Sequence, residues 1–145
     1  MLALLQRVSQ ATLTVEGKLI SSIQKGMVVY LGVKKGDDFS KANSIVKKIS
    51  QARIFEDENG KTNLNIQSVN GEILLVSQFT LYGSLKGTNR PDFTMAEEPI
   101  KANNLYNYVA TELQKLGHKV KLGVFGADMK ISQQNDGPFS VLIEF

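Results

Sequence analysis

The chain has 145 residues, 42% apolar and 21% charged, which is ordinary globular composition at the length of one domain. It has no Cys and a single His, His118, so disulfides, thiolate nucleophiles and multi-histidine metal sites are excluded, and a Ser-His-Asp triad would have to use His118. The net charge of +3 permits an anionic partner without demanding one.

Met1 to Arg7 lacks a basic leader and a small-residue cleavage site, so no signal peptide is expected. No stretch approaches the roughly 20 apolar residues of a membrane span, and the expectation is a cytoplasmic protein without membrane association. Leu2–Val8 reads as a buried strand. Ala11–Val15 and Leu19–Ile23 read as a hairpin turning at Gly17. Met27–Val33 is a nearly unbroken apolar run, the pattern of a central strand. From Ser40 to Arg53, Ala42, Ile45, Val46, Ile49 and Ala52 recur at steps of three and four, predicting an amphipathic helix. Between Phe55 and Phe79 short strands are expected, separated by hairpin turns at Asn59-Gly60 and Asn70-Gly71, with Glu72–Phe79 the second core strand. Pro91 and Pro99 are expected to break up a polar loop. A second helix follows over Ile100–Leu116, carrying Ala102, Leu105, Val109, Leu113 and Leu116, with Gly117 suited to end it. Lys119–Phe125, Lys130–Ser132 and Phe139–Phe145 supply the last strands. The fold class is mixed α/β, a mixed sheet with two main helices in one domain spanning 1–145.

Two segments carry polar groups that core packing explains poorly. Ser77, Gln78 and Thr80 lie in SQFTLYG, where an apolar strand runs out into a Gly-containing loop. Their alternative use is to satisfy nearby backbone at a strand end. Asn135 to Pro138, NDGP, reads by itself as a turn between two short strands. Thr80 is the obvious nucleophile in a chain with no Cys, but its hydroxyl needs a base and its neighbours in sequence offer none. His118 reads as surface or helix-end structure. Glu56, Asp57 and Glu58 read as a solvated hairpin tip, and no metal or cofactor is expected.

In QRV at Gln6–Val8, RIFEDENGK at Arg53–Lys61, VSQFTLYG at Val76–Gly83, FGADM at Phe125–Met129 and NDGP at Asn135–Pro138, in that order and spacing, the chain resembles the D-aminoacyl-tRNA deacylases. These enzymes strip D-amino acids from tRNA. The chain departs from the family pattern in the loop Gly83–Phe93 and at Phe139 and Ser140, which follow the Gly-Pro pair. The resemblance implies a homodimer in which a cis Gly137-Pro138 pair projects into the other subunit's site and rejects L-amino acids by a steric wall. Arg7 is implied to brace that wall. The resemblance further implies that the backbone amides of Phe79 and Thr80 hold the developing oxyanion, that Gln78 and Ser77 shape the adenosine pocket, and that the RNA's own 2′-hydroxyl assists water. The implied partners are the aminoacylated 3′ end of tRNA and a second copy of the chain. Glycyl-tRNA is expected as a further substrate.

Lys34 to Arg53 holds six basic residues against two acidic ones, and these, with Lys86 and Arg90, are expected to meet tRNA phosphates. A solvated helix face explains them equally well. Two rival readings are an editing deacylase for a wrong L-amino acid and a catalytically inert RNA-binding module. The intact Gly-Pro pair argues against the first, and the joint presence of SQFTLYG and NDGP against the second.

Overall fold

The computed structural model describes residues 1–87 and 89–145; Thr88, in the divergent loop 83–93, lies outside the described residues. Its elements are β1 (Leu2–Val15), β2 (Lys18–Ile23), β3 (Gly26–Gly32), α1 (Phe39–Gln51), β4 (Phe55–Glu56), β5 (Thr62–Leu64), β6 (Glu72–Ser77), a 3-10 turn (Phe79–Tyr82), α2 (Pro99–Lys115), β7 (Lys119–Leu122) and β8 (Met129–Glu144). The sheet runs β2-β1-β3-β6-β7, with β8 along the other edge of β1. The pairs β3–β6 and β6–β7 are parallel, so the chain must cross over between them. Those crossovers contain α1 and α2.

Both helices cover one face. Ala42, Ile45, Val46 and Ile49 of α1 and Ala102, Leu105, Val109 and Leu113 of α2 are buried against Met27, Val29 and Leu31 of β3 and Ala3 and Leu5 of β1. On the opposite face Val28, Leu74 and Val76 meet Ala11, Leu13 and Ile23 in a second, smaller core. Central strands buried on both faces leave no place for polar residues, which is why β3 and β6 read as apolar runs. The second core exists because the sheet curls over itself. Ser21 of β2 donates to the Leu122 carbonyl of β7 at 2.6 Å and nearly closes a barrel.

β1 serves both cores. Ala3 and Leu5 face the helices, whereas Val8, Ala11 and Leu13 face the small core. A one-residue bulge makes the switch, since Val8 pairs with Asn135 and Gln10 with Gln134, leaving Ser9 over. What reads as two strands is thus one strand, pairing with β3 through its first half and β2 through its second.

Four further expectations change. Asn70-Gly71 joins no hairpin, because β6 runs parallel to β3; Gly71 N–H instead closes a turn on the Ile66 carbonyl at 2.9 Å. Pro99 starts α2 rather than breaking a loop: it needs no N–H partner there, and the Glu98 carboxylate caps the next two N–H groups. Leu116 is exposed, beyond the last buried turn. NDGP reverses nothing, since β8 pairs with β1 on both sides of it.

His118 follows Gly117, whose φ of +86° ends α2, and is buried rather than on the surface. Its Nε2 lies 2.7 Å from the Ser50 hydroxyl of α1, and burial pushes the imidazole below its ordinary pKa. Burial pushes the Asp37 carboxyl up, but hydrogen bonds from the Met1 ammonium, the Lys34 N–H and the Lys41 ammonium outweigh it and hold the group below the usual range. Among the described residues, no helix is long and apolar enough to cross a membrane.

Candidate active site

The parallel strands β3 and β6 end side by side, and a cavity of about 610 Å³ opens there, a size suited to a small-molecule or nucleoside ligand. Leu31, Val76 and Tyr106 line it with Ser77, Gln78 and Phe79, opposite the segment Phe125–Met129. Ser77 lies in register with no partner beyond Leu31, and the Gln78 N–H still reaches the Leu31 carbonyl at 2.8 Å. The chain then coils into the 3-10 turn. Phe79 is 58% exposed and packs edge-to-face on Phe93, centroids 5.1 Å apart.

The first N–H to bond back within that coil is that of Leu81, to the Gln78 carbonyl at 3.3 Å. The N–H groups of Phe79 and Thr80 precede it and have no partner among the described residues, the normal state of a helix start. Phe79 lines the cavity and Thr80, next in the chain, does not; the two adjacent free amides stand at its edge, an arrangement that can receive an oxyanion. The Thr80 hydroxyl accepts a hydrogen bond from the Gln78 side-chain amide. That partner is a donor, so it cannot take the proton a nucleophilic Thr must lose.

Tyr106 and the Phe125–Met129 segment had no assigned role in the sequence. Tyr106 hides in the helical spacing of α2, yet its hydroxyl donates to the Leu75 carbonyl at 2.8 Å, and burial pushes its pKa up to about 12, so the donor is permanent. Glu97 also lines the cavity; its 2.8 Å bond from Lys101 holds the carboxyl below the usual range.

Gly137, Pro138 and Arg7 belong to a different place and do not line this cavity. Gln6 pairs with Ser140 and Val8 with Asn135, so Arg7 alone on β1 faces residues 136–139 of β8, which bow outward. Gly137 and Pro138 are exposed and their peptide bond is cis. Arg7 is 5% exposed: Nε donates to the Asp136 carbonyl at 2.9 Å, Nη1 to the buried Ile54 carbonyl at 2.8 Å, and the guanidinium lies 5.0 Å from the Phe139 ring centroid. A Cβ on Gly137, where φ is +130°, would sit 3.1 Å from Arg7 Nη2. Of the basic residues, Lys47, Lys48 and Lys86 are exposed, whereas Lys41 is engaged by Asp37.

A mixed sheet with both helices on one face, a cavity at the strand ends and a separate braced Gly-Pro bow define a class of protein, and comparison with known proteins identifies which. The D-Tyr-tRNA(Tyr) deacylase model matches residues 4–144, and the chain belongs to that family. A D-aminoacyl-tRNA deacylase of Syntrophus aciditrophicus (strain SB) is 45% identical over 99% of this chain and 97% of the relative. A solved structure described as a c-Myc DNA Unwinding Element Binding Protein has a TM-score of 0.94 at 41% identity, over 100% of this chain and 99% of that one. A second, described as a probable eukaryotic D-amino acid tRNA deacylase, shares the fold with a TM-score of 0.84 at 17% identity, over 98% and 97% of the two chains.

Proposed function

We propose that the chain, a D-aminoacyl-tRNA deacylase by family, hydrolyses the ester between a D-amino acid and the terminal ribose of tRNA and spares the L-ester by means of Gly137-Pro138 borrowed from a second copy. The observation that carries this reading is the separation just described. The Gly-Pro bow is exposed, braced by a buried Arg7 and absent from the cavity of its own chain, so it has a built geometry with nothing of its own to act on.

The edge on which it stands supports a second copy. Among the described residues β8, a 16-residue strand, is paired on one side only, and it exposes Val141 and Leu142, with Phe145 exposed just beyond its end, a combination that invites pairing. In the proposed complex the terminal adenosine enters the cavity beside Ser77 and Gln78. The ester carbonyl turns toward the Phe79 and Thr80 N–H groups, and water attacks with help from the neighbouring ribose hydroxyl. An aminoacyl ester is an activated bond, so positioning and oxyanion stabilisation suffice, and one such donor contributes about 3 to 4 kcal/mol to the barrier reduction. Main-chain oxygens of the Gly-Pro pair receive the ammonium. An L side chain then collides with the pair, while a D side chain or the hydrogen of glycine does not.

Exposed Lys47, Lys48 and Lys86 are proposed to meet tRNA phosphates, contacts that position without reading sequence. The action belongs in the cytoplasm, where charged tRNA is found.

The test uses D-tyrosyl-, L-tyrosyl- and glycyl-tRNA with the whole protein. The expected result is release of D-tyrosine and glycine and retention of the L-ester. Equal release of both enantiomers overturns the wall, and absence of any release overturns the hydrolase.

A further inference from the structure

A second set of bonds holds the Gly-Pro bow, from the face opposite Arg7. Adjacent residues of a strand point to opposite faces, so Gln6 lies on the small-core side when Arg7 lies on the helix side. There the Tyr30 hydroxyl of β3 donates to Gln133 Oε1 at 3.0 Å. Gln133 Nε2 donates twice, to Gln6 Oε1 at 2.9 Å and to Asn135 Oδ1 at 2.6 Å. Gln6 Nε2 completes the chain by donating to the Ser140 hydroxyl at 3.1 Å.

The two ends of this chain are the two feet of the bow. Asn135 is the last residue of β8 paired with β1 before residues 136–139, and Ser140 is the first paired after them. Gln133 has its carbonyl and both amide hydrogens committed, which fixes the orientation of its side chain. Tyr30 is half-buried against the small core, and burial pushes its pKa up, so it remains a donor. The span between the feet is therefore set by a hub rooted in the core, independently of Arg7.

We infer that Gln133, oriented by Tyr30 and acting through Gln6, is a positioning residue that sets the separation of Asn135 and Ser140 and thereby the stance of Gly137-Pro138 on which discrimination between D- and L-aminoacyl esters depends. This rests on the Gly-Pro reading above and adds that the stance is controlled by side chains remote from the reacting bond. None of the three lines the cavity. Their removal changes the ratio of rates for the two enantiomers without abolishing hydrolysis.

The experiment measures kcat/KM for D- and L-tyrosyl-tRNA, with unfolding midpoints, for the wild type, Gln133→Leu, Tyr30→Phe, their double mutant and Pro138→Ala. The expected result is a fall of roughly tenfold in the D-to-L ratio for Gln133→Leu, the scale of losing one or two hydrogen bonds, and a smaller fall for Tyr30→Phe. The double mutant should match Gln133→Leu alone, because both changes cut one chain. Gln133→Asn, with the same groups on a shorter stem, should fail to restore the ratio. A ratio unchanged in Gln133→Leu while Pro138→Ala lowers it overturns the brace and leaves the wall standing. A ratio unchanged in Pro138→Ala overturns the wall reading itself. Should Gln133→Leu not fold, Tyr30→Phe, which removes a single oxygen, decides by the same ratio.

Discussion

The cavity and the Gly-Pro bow are built by opposite means. The cavity stands at the ends of β3 and β6, whose neighbouring side chains Val29, Leu31, Leu75 and Val76 are buried in the two cores, and its free N–H groups follow from where a strand passes into a coil. The bow stands on an exposed edge strand, where of residues 136–139 only Phe139 packs against the main core, and is otherwise held by individual polar bonds from Arg7 and from the Gln133 chain. Backbone emerging from a core is insensitive to most single polar side chains. A segment held by polar bonds depends on each of them. The bow should therefore be easy to loosen without unfolding the protein, and the cavity hard to alter without unfolding it.

The largest expected effect on stability lies beneath the cavity. Leu75 is fully buried in β6, and Leu75→Ala should cost about 2 to 5 kcal/mol in urea unfolding, through lost transfer energy and the void left behind. A cost below about 1 kcal/mol would remove the contrast. Arg7→Ala comes next. It strips the Ile54 and Asp136 carbonyls of a charged donor, which should cost about 1.5 to 3 kcal/mol and shift the D-to-L rate ratio more than Leu75→Ala does. Equal ratios in the two variants would mean the bow is not the selective element. The smallest effect is expected at Thr80→Ala. The unpartnered Thr80 N–H survives the change and only the hydroxyl is lost, so turnover should stay within about tenfold of the wild type. Near-complete loss in a folded protein would revive the covalent mechanism.

Much of this architecture can be read along the chain because its causes are local. Ala42, Ile45, Val46 and Ile49 face one way by helical spacing alone, and Gly117 ends α2 because it alone at that point adopts a positive φ freely. The segments SQFTLYG and NDGP stand out by composition, and family resemblance attaches roles to them. What escapes is what depends on pairing over long separations. Asn70-Gly71 has hairpin chemistry, but the partner of the following strand is β3, brought alongside by α1. Tyr106 occupies an ordinary core position of a helix, and only the placement of α2 over β6 turns it toward the cavity.

By itself the sequence determined the helices, the apolar central strands and the absence of thiol or multi-histidine chemistry, since each is set by residue type and spacing. Only the tertiary structure decided that NDGP bows out of one continuous strand, that Arg7 and Gln133 grip it from opposite faces, and that it lies apart from the cavity of its own chain. The reason is the bulge at Ser9 and the 16 residues of β8 laid along β1: partners as distant as Gln6 and Gln133, 127 residues apart, meet through strand register, which no local pattern encodes.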